Sequence, residues 1–423
     1  MNDLTKALLP VAVALDEILS ACTPLSSVRV CLADVAMGDG VRVLAAEVRS
    51  VRAIPAFTNS AMDGYAVNVA AGTTTVRLVG ESLAGHGSEV VLGVGDAVAI
   101  TTGAPLPRGT TAVVMREHVD ESRVSDGVVV LGSLPVDGEH IRVRGDDVDV
   151  DAVVGSVGDV LTPARLNLLW SAGITDVQVV RRATVAILAS GDELTEIGAP
   201  FTDDDVINSN AWSIAAACRQ LGCAVRVLGI AKDTLADHVA RIAGAVNDDA
   251  VDVVITIGGV SIGSHDFVRP ALQQLGATLA VWKLAMRPGK PLAFGSLPTT
   301  AARGGRDVVF FGLPGNPVSS LVTFEVFVRP ALRALRGEAR EVVEVVAQRG
   351  VLADAVPFTK KLGLTVFARA TTSVAIDGRV QVSTVDRQGS GQISGLANAT
   401  VLCCFPADSG VVSPGDEVEF IPL

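Results

Sequence analysis

The sequence predicts a multidomain protein of α/β plus β class, and three observations carry that reading. Between residues 182 and 336, continuous apolar runs alternate with helical stretches, the pattern of a mostly parallel sheet covered on both faces. Between 51 and 144, short Val-rich runs alternate with Gly, Pro, Asp and Thr, which reads as an all-β module. After residue 337 the chain returns to β texture. At about 100–200 residues per domain, 423 residues suggest two to four domains. The expected divisions are a mixed N-terminal domain (1–50 and 145–181), an inserted β module (51–144), an α/β domain (182–336) and a C-terminal β domain (337–423).

Each element has its own signal. Leu4, Leu8, Leu9, Val13, Leu15, Ile18 and Leu19 recur at helical spacing, so a helix is expected over 4–20. VRVLAAEVRS reads as strand, as do VRLVG, AVVMRE and DGVVVLG in the β module. In LTPARLNLLWSAG, Thr162 suits an N-cap and Pro163 a first helical turn. ATVAILAS, CAVRVLGIA, DVVITIGG and DVVFFGLPG are strands. Between and after them NSNAWSIAAACRQLG, LADHVARIAGAV, DFVRPALQQLG and VSSLVTFEVFVRPALRAL are helices, the first closed by Gly222. EVVEVVAQRG, LTVFARATTSVAI, GRVQVSTVD, TVLCCFP and DEVEFIPL read as C-terminal strands.

Composition excludes several classes of function. Hydrophobic residues are 49% and charged residues 19%, so a core can be buried and disorder as the main state is excluded. Lys and Arg number 34 against 46 Asp and Glu, a net charge of −12, so no nucleic-acid or membrane partner is expected. The 12 Phe, 3 Trp and 1 Tyr are too few for single-strand stacking platforms. Cys22, Cys31, Cys218, Cys223, Cys403 and Cys404 show no zinc spacing and read as reduced, buried hydrophobes. MNDLTKALLP lacks the charge and apolar run of a signal peptide, and a cytoplasmic location is expected. The five histidines are scattered without H-E-x-x-H, so neither a His metal site nor a His triad is expected.

The strongest chemical signal is VDVVITIGGVSIGSHD. A buried strand ends in Gly258 and Gly259, and Ser261, Gly263 and Asp266 follow. Glycines at a strand's carboxyl end let backbone N–H groups approach an anion, though a tight turn would need them equally. ILASGDEL and FFGLPGNPVSS end strands on the same predicted edge, adding Ser190, Glu193, Pro314, Asn316 and Pro317. Three such loops on one edge point to a site. Asp192, Glu193, Asp233 and Asp266 would share its rim, and carboxylates beside phosphate suit Mg²⁺. Each acid alone also fits a helix cap or a solvated turn. Lys283, Arg287 and Lys290 cluster in WKLAMRPGKPLAFG and suit an oxyanion or a solvated loop.

SAMDGYAV, TTGAPLPRG, IRVRGDD, SGDEL, INSN, TIGGVSIGSHDF, MRPGKPLAFG, LPGNPVSS and RQGSG, taken together and in this order, resemble the molybdopterin molybdenumtransferases, which are similar to the E domain of gephyrin. The resemblance runs from about residue 12 to Leu423. It implies an elongated homodimer whose α/β domain has the molybdopterin-cofactor-biosynthesis fold, with a site shared between the α/β domain and the partner chain's β module. It implies insertion of molybdenum from molybdate into adenylylated molybdopterin, with Mg²⁺-dependent release of AMP. Asp63, Thr102, Glu193, Asp233 and Asp266 then become the expected catalytic residues, with Glu193 and Asp266 holding Mg²⁺. Arg142, Asp147, Ser190, Gly258, Gly259, Ser261, Gly263, Arg287, Lys290, Pro314, Pro317 and Ser390 become the expected binding residues. A molybdopterin adenylyltransferase is a possible partner. Arg287 stands where many relatives carry Lys, and His265 where many carry a small or acidic residue. The competing functions are a molybdopterin adenylyltransferase and a non-catalytic molybdopterin carrier or scaffold.

Overall fold

The computed structural model describes residues 8–38, 40–69, 73–260, 266–299, 306–343 and 347–423. Thr184–Ser190 lies between Ala224–Ala231 and Val253–Ile257, and Val308–Leu313 follows, all parallel. Val185, Ile187, Val253 and Ile255 are fully buried, which is why these runs carry no alternation. The apolar runs on either side of MRPGKP form two more strands, Thr278–Lys283 and Pro291–Leu297, which join antiparallel and complete a six-stranded sheet. Helix Ser209–Gln220 buries Ala211, Ile214 and Cys218 in the core on one face of that sheet. Helix Leu235–Val246 buries Ile242 and Ala245 in a second core with Ala186, Leu188 and Phe310. Thr234 caps that helix, its Oγ1 accepting the Asp237 N–H at 3.3 Å.

The β module is a six-stranded sheet centred on Gly64–Asn68, Asp96–Ile100 and Thr75–Ser82. Strand Ser27–Cys31 pairs antiparallel with Asp176–Val180, and Val48–Arg49 with Val153–Gly155, so segments before and after the β module lie side by side. The N-terminal helix spans Val11–Ala21, beginning after Pro10. Helix Pro163–Ser171 has the expected cap, Thr162 Oγ1 accepting the Arg165 N–H at 3.2 Å.

The C-terminal strands close into a barrel. Thr365–Val374 pairs with Val380–Thr384 on one side and Val401–Phe405 on the other, and Gln348–Leu352 and Glu417–Pro422 complete the ring. Met286–Arg287 adds to this barrel beside Thr365, tying the MRPGKP turn to the C-terminal strands. Among the described residues, no helix is long and apolar enough to cross a membrane.

Candidate active site

The carboxyl ends of Thr184–Ser190, Val253–Ile257 and Val308–Leu313 open into one cavity of about 630 Å³. Ser190, Gly191, Glu193, Asp233, Gly258 and Gly259 line one side, and Pro314, Gly315, Asn316 and Pro317 another, with Asn208 and Asn210 between. A cavity at this edge of an open α/β sheet is the expected ligand position. Ile393, from the segment that follows RQGSG, also lines it.

The loops hold each other in place. The Asp233 N–H donates to Asp192 Oδ1 at 3.0 Å, and the Asp192 N–H donates to Asp233 Oδ2 at 3.4 Å. Asn210 Nδ2 donates to the Gly315 carbonyl at 2.7 Å, fixing the LPGNP turn. The Val318 N–H donates to the Ser390 carbonyl at 3.1 Å, which ties the Ser390 backbone to the start of helix Pro317–Thr323. Gly258 has φ +90°, and a Cβ there would stand 2.6 Å from the Ser190 carbonyl oxygen. Both the conformation and the close approach therefore require glycine.

Asp266 precedes helix Val268–Gln274, and its Oδ1 accepts the Arg269 N–H at 3.4 Å. Burial pushes its carboxyl up to about 6, with the backbone N–H groups of Arg269 and Val268 pulling the other way. Ser261 and Gly263 lie outside the described residues. Arg287 and Lys290 are exposed on their turn; the Lys290 carbonyl accepts the Leu284 N–H at 2.8 Å, and the next residue, Pro291, lines the cavity. Arg287, Lys290 and Asp266 are not among the lining residues.

The β-module residues form a second group. Thr102 donates to Asp63 Oδ1 twice, from its backbone N–H at 2.6 Å and its hydroxyl at 2.9 Å. These bonds, with Arg116 nearby, hold the Asp63 carboxyl below the usual carboxylate range. Arg142 pairs with Asn59 in a short antiparallel ladder, and the Gly103 N–H donates to the Ser60 carbonyl at 2.8 Å. Asp63, Thr102 and Arg142 are thereby tied to one short stretch of the module. The Asp147 N–H donates to the Ile54 carbonyl at 3.0 Å, and its side chain is exposed. None of these four residues is among those lining the cavity. Asn59 is buried, and its Oδ1 has no hydrogen-bond partner among the described residues.

Two residues of the cavity region escape the sequence patterns. Ile393 is carried there by the segment just past RQGSG and brings only an apolar side chain. His238 lies behind Ser190, its Nε2 2.8 Å from Ser190 Oγ. The two are 48 positions apart, and the sole sequence clue is that each lies at the same sheet edge.

Three family models cover most of the chain: the MoeA N-terminal region (domain I and II) over 9–173, a probable molybdopterin binding domain over 186–334, and the MoeA C-terminal region (domain IV) over 352–423. A molybdopterin molybdenumtransferase of Haemophilus influenzae is 35% identical over 90% of this chain and 91% of its own. Molybdopterin molybdenumtransferase 2 of Mycobacterium tuberculosis is 36% identical over 76% of this chain and 77% of its own. A crystal structure of a molybdopterin biosynthesis MoeA protein from Pyrococcus horikoshii superposes with a TM-score of 0.80 at 23% identity, over 99% of this chain and 100% of that one.

Proposed function

We propose a specific reaction for this chain, which belongs to the molybdopterin molybdenumtransferase family and is an enzyme of molybdenum cofactor biosynthesis. It takes adenylylated molybdopterin and molybdate, cleaves the phosphoanhydride with Mg²⁺, releases AMP and leaves molybdenum on the dithiolene. The observation that carries this reading is the cavity where Glu193, Asp233, the Gly258–Gly259 turn and the LPGNP turn converge.

Cleaving a phosphoanhydride calls for positioning and charge neutralisation more than covalent chemistry. Gly258 and Gly259 bring backbone close to where phosphate would lie, and Asn210 and Asn316 offer amide groups across the cavity. Arg287 and Lys290 stand on the turn that leads into Pro291 and would supply positive charge for phosphate or molybdate. Pro314 and Pro317 stiffen the opposite wall.

Among the described residues, no group of three or more His, Cys, Asp or Glu side chains gathers to hold a metal. Glu193 and Asp233 instead line the cavity, and Asp266 lies before the helix that follows the glycine turn. Mg²⁺ is bound through one or two carboxylates plus substrate phosphate; Glu193 at the cavity suits that role, and Asp266, outside the lining, would be the second leading ligand. Bound there, the ion would neutralise charge on the anhydride. No cysteine lines the cavity. Burial pushes Cys22 and Cys403 up to about 12 and Cys223 and Cys404 up to about 11, so these thiols are poor metal ligands. The molybdenum ligands are therefore assigned to the pterin's own sulfurs.

Asp63, Thr102, Arg142 and Asp147 would complete the site from the β module of a second copy in a cytoplasmic homodimer. Support comes from their exposure and hydrogen-bonded arrangement together with their absence from the cavity lining.

The test is AMP release from adenylylated molybdopterin with Mg²⁺, with and without molybdate, on wild type and Asp266→Ala. Molybdate-dependent release that Asp266→Ala loses is expected. No release by wild type, with the pterin still bound, would overturn catalysis in favour of a carrier.

A further inference from the structure

One buried titratable side chain beside the cavity has no role in the reaction as described. His238 is fully buried on the first turn of helix Leu235–Val246. Its Nδ1 lies 2.9 Å from the Thr234 carbonyl oxygen. That oxygen only accepts, so Nδ1 carries a proton, and in the neutral ring Nε2 carries the lone pair. The Ser190 hydroxyl, 2.8 Å from Nε2, therefore donates its hydrogen to His238.

Ser190 ends its strand at the cavity and lines it. Gly259 passes beside the hydroxyl with φ +65°; a Cβ there would stand 3.3 Å from Ser190 Oγ and 2.8 Å from Val268 Cγ2. The glycine adds no side chain over the hydroxyl of Ser190, a residue that keeps 7% of its surface exposed. A hydroxyl, a base behind it and a third group fixing the base's tautomer make up the arrangement that activates serine.

We propose that His238 activates the Ser190 hydroxyl, and that this pair takes the proton of the water that attacks the phosphoanhydride. The inference rests on the anhydride-cleavage reading above. The water oxygen bonds to phosphorus, and the bridging P–O bond breaks with its electron pair remaining on the departing phosphate. The water proton passes to Ser190 Oγ as the Ser190 proton passes to His238 Nε2. The imidazolium then returns its proton to Ser190 Oγ as the Ser190 proton passes to the departing phosphate, which restores the pair. Ser190 is the catalytic residue, and His238 is a positioning residue that acts through it.

The test compares wild type, Ser190→Ala, His238→Leu, His238→Gln and the Ser190→Ala/His238→Leu double variant, each checked for a native thermal transition. His238→Gln keeps a hydrogen-bond acceptor behind the hydroxyl but no base, so a merely structural role would be rescued by it. In the first arm the probe is diisopropyl fluorophosphate, read by mass spectrometry of the peptide containing Ser190. Labelling is expected in wild type and its loss in both His238 variants. In the second arm kcat for AMP release falls about 100-fold in each single variant, KM stays unchanged, and the double variant loses no more than the singles. An unlabelled wild type, equal labelling in the His238 variants, wild-type kcat in His238→Gln, or multiplying losses in the double variant would each overturn the proposal. If wild type releases no AMP, the anhydride reading fails, and the labelling arm alone decides whether His238 activates Ser190.

Discussion

Asp63 and Thr102 are joined twice through one oxygen: Asp63 Oδ1 accepts both the backbone N–H and the hydroxyl of Thr102. Two donors on one carboxylate oxygen favour its charged form, and the Asp63 carboxyl is held low, first by the backbone bond and then by the hydroxyl. A depressed carboxylate adds stability that is present above its unfolded pKa, near 3.9, and is lost as pH falls through the lower folded value. Thr102→Val removes only the hydroxyl. The Asp63 titration midpoint, followed by carboxyl carbon-13 shifts, is expected to rise yet stay below the usual range. An unmoved midpoint would remove the hydroxyl from the account.

Asp266 shows the opposite electrostatics. Burial pushes it up to about 6, so between its unfolded pKa near 3.9 and that value the folded state binds more protons than the unfolded one. Its contribution to stability is fully present below the unfolded pKa and is lost as pH rises through 6. In metal-free protein, Asp266→Asn should therefore raise the melting temperature at pH 7.5. After discounting for partial exposure, the gain should be on the order of 1 kcal/mol. It should leave the melting temperature unchanged at pH 4. Equal melting temperatures at both pH values would show that Asp266 titrates normally. The same substitution should abolish AMP release, so stability and activity move in opposite directions.

Much of this arrangement was legible in the sequence because burial and turns leave local marks. Val253 to Ile257 read as a two-face-buried strand because every position is apolar or, at Thr256, compatible with burial. Gly258 and Gly259 read as a turn because a glycine pair favours left-handed backbone, which both adopt, at φ +90° and +65°. Thr278–Lys283 and Pro291–Leu297 were legible as apolar runs but not as antiparallel sheet edges, because pairing direction is set by the turn's return path rather than by composition. The Ser190–His238 contact was illegible because a helix start and a strand end meet only once the sheet is assembled. A fully buried histidine has the same sequence appearance as a scattered surface one.

Gly258→Ala tests the turn above Ser190. The added methyl must hold φ near +90° and approach the Ser190 carbonyl oxygen at 2.6 Å. Backbone strain of this kind costs about 1–3 kcal/mol, and the neighbour is backbone, which cannot rotate away. Urea unfolding should show a loss in this range, with AMP release reduced more steeply than the lost stability explains. Wild-type stability in Gly258→Ala would mean that the turn tolerates a side chain.

Arg369 links the barrel to the cavity wall. It is 1% exposed on strand Thr365–Val374, and burial lowers the pKa of its guanidinium. Its Nη2 donates to the Arg387 carbonyl. Gln388 spans the same gap, with Oε1 accepting the Arg369 N–H at 3.1 Å and Nε2 donating to the Arg369 carbonyl at 2.8 Å. These bonds hold the start of RQGSG, whose Ser390 carbonyl accepts from Val318 and whose continuation places Ile393 at the cavity. Arg369→Met keeps the side chain's bulk but leaves the Arg387 carbonyl unpaired, a loss of about 1–3 kcal/mol. The loop keeps its Gln388 bonds to the Arg369 backbone but loses its anchor at Arg387, and KM for adenylylated molybdopterin should rise about tenfold, the factor that about 1.4 kcal/mol produces. The chemical step should keep its kcat, since Ser190, Glu193 and Asp233 stand on the α/β strands and their loops rather than on the barrel. A drop in melting temperature with unchanged KM would confine Arg369 to the barrel core and detach RQGSG from ligand binding.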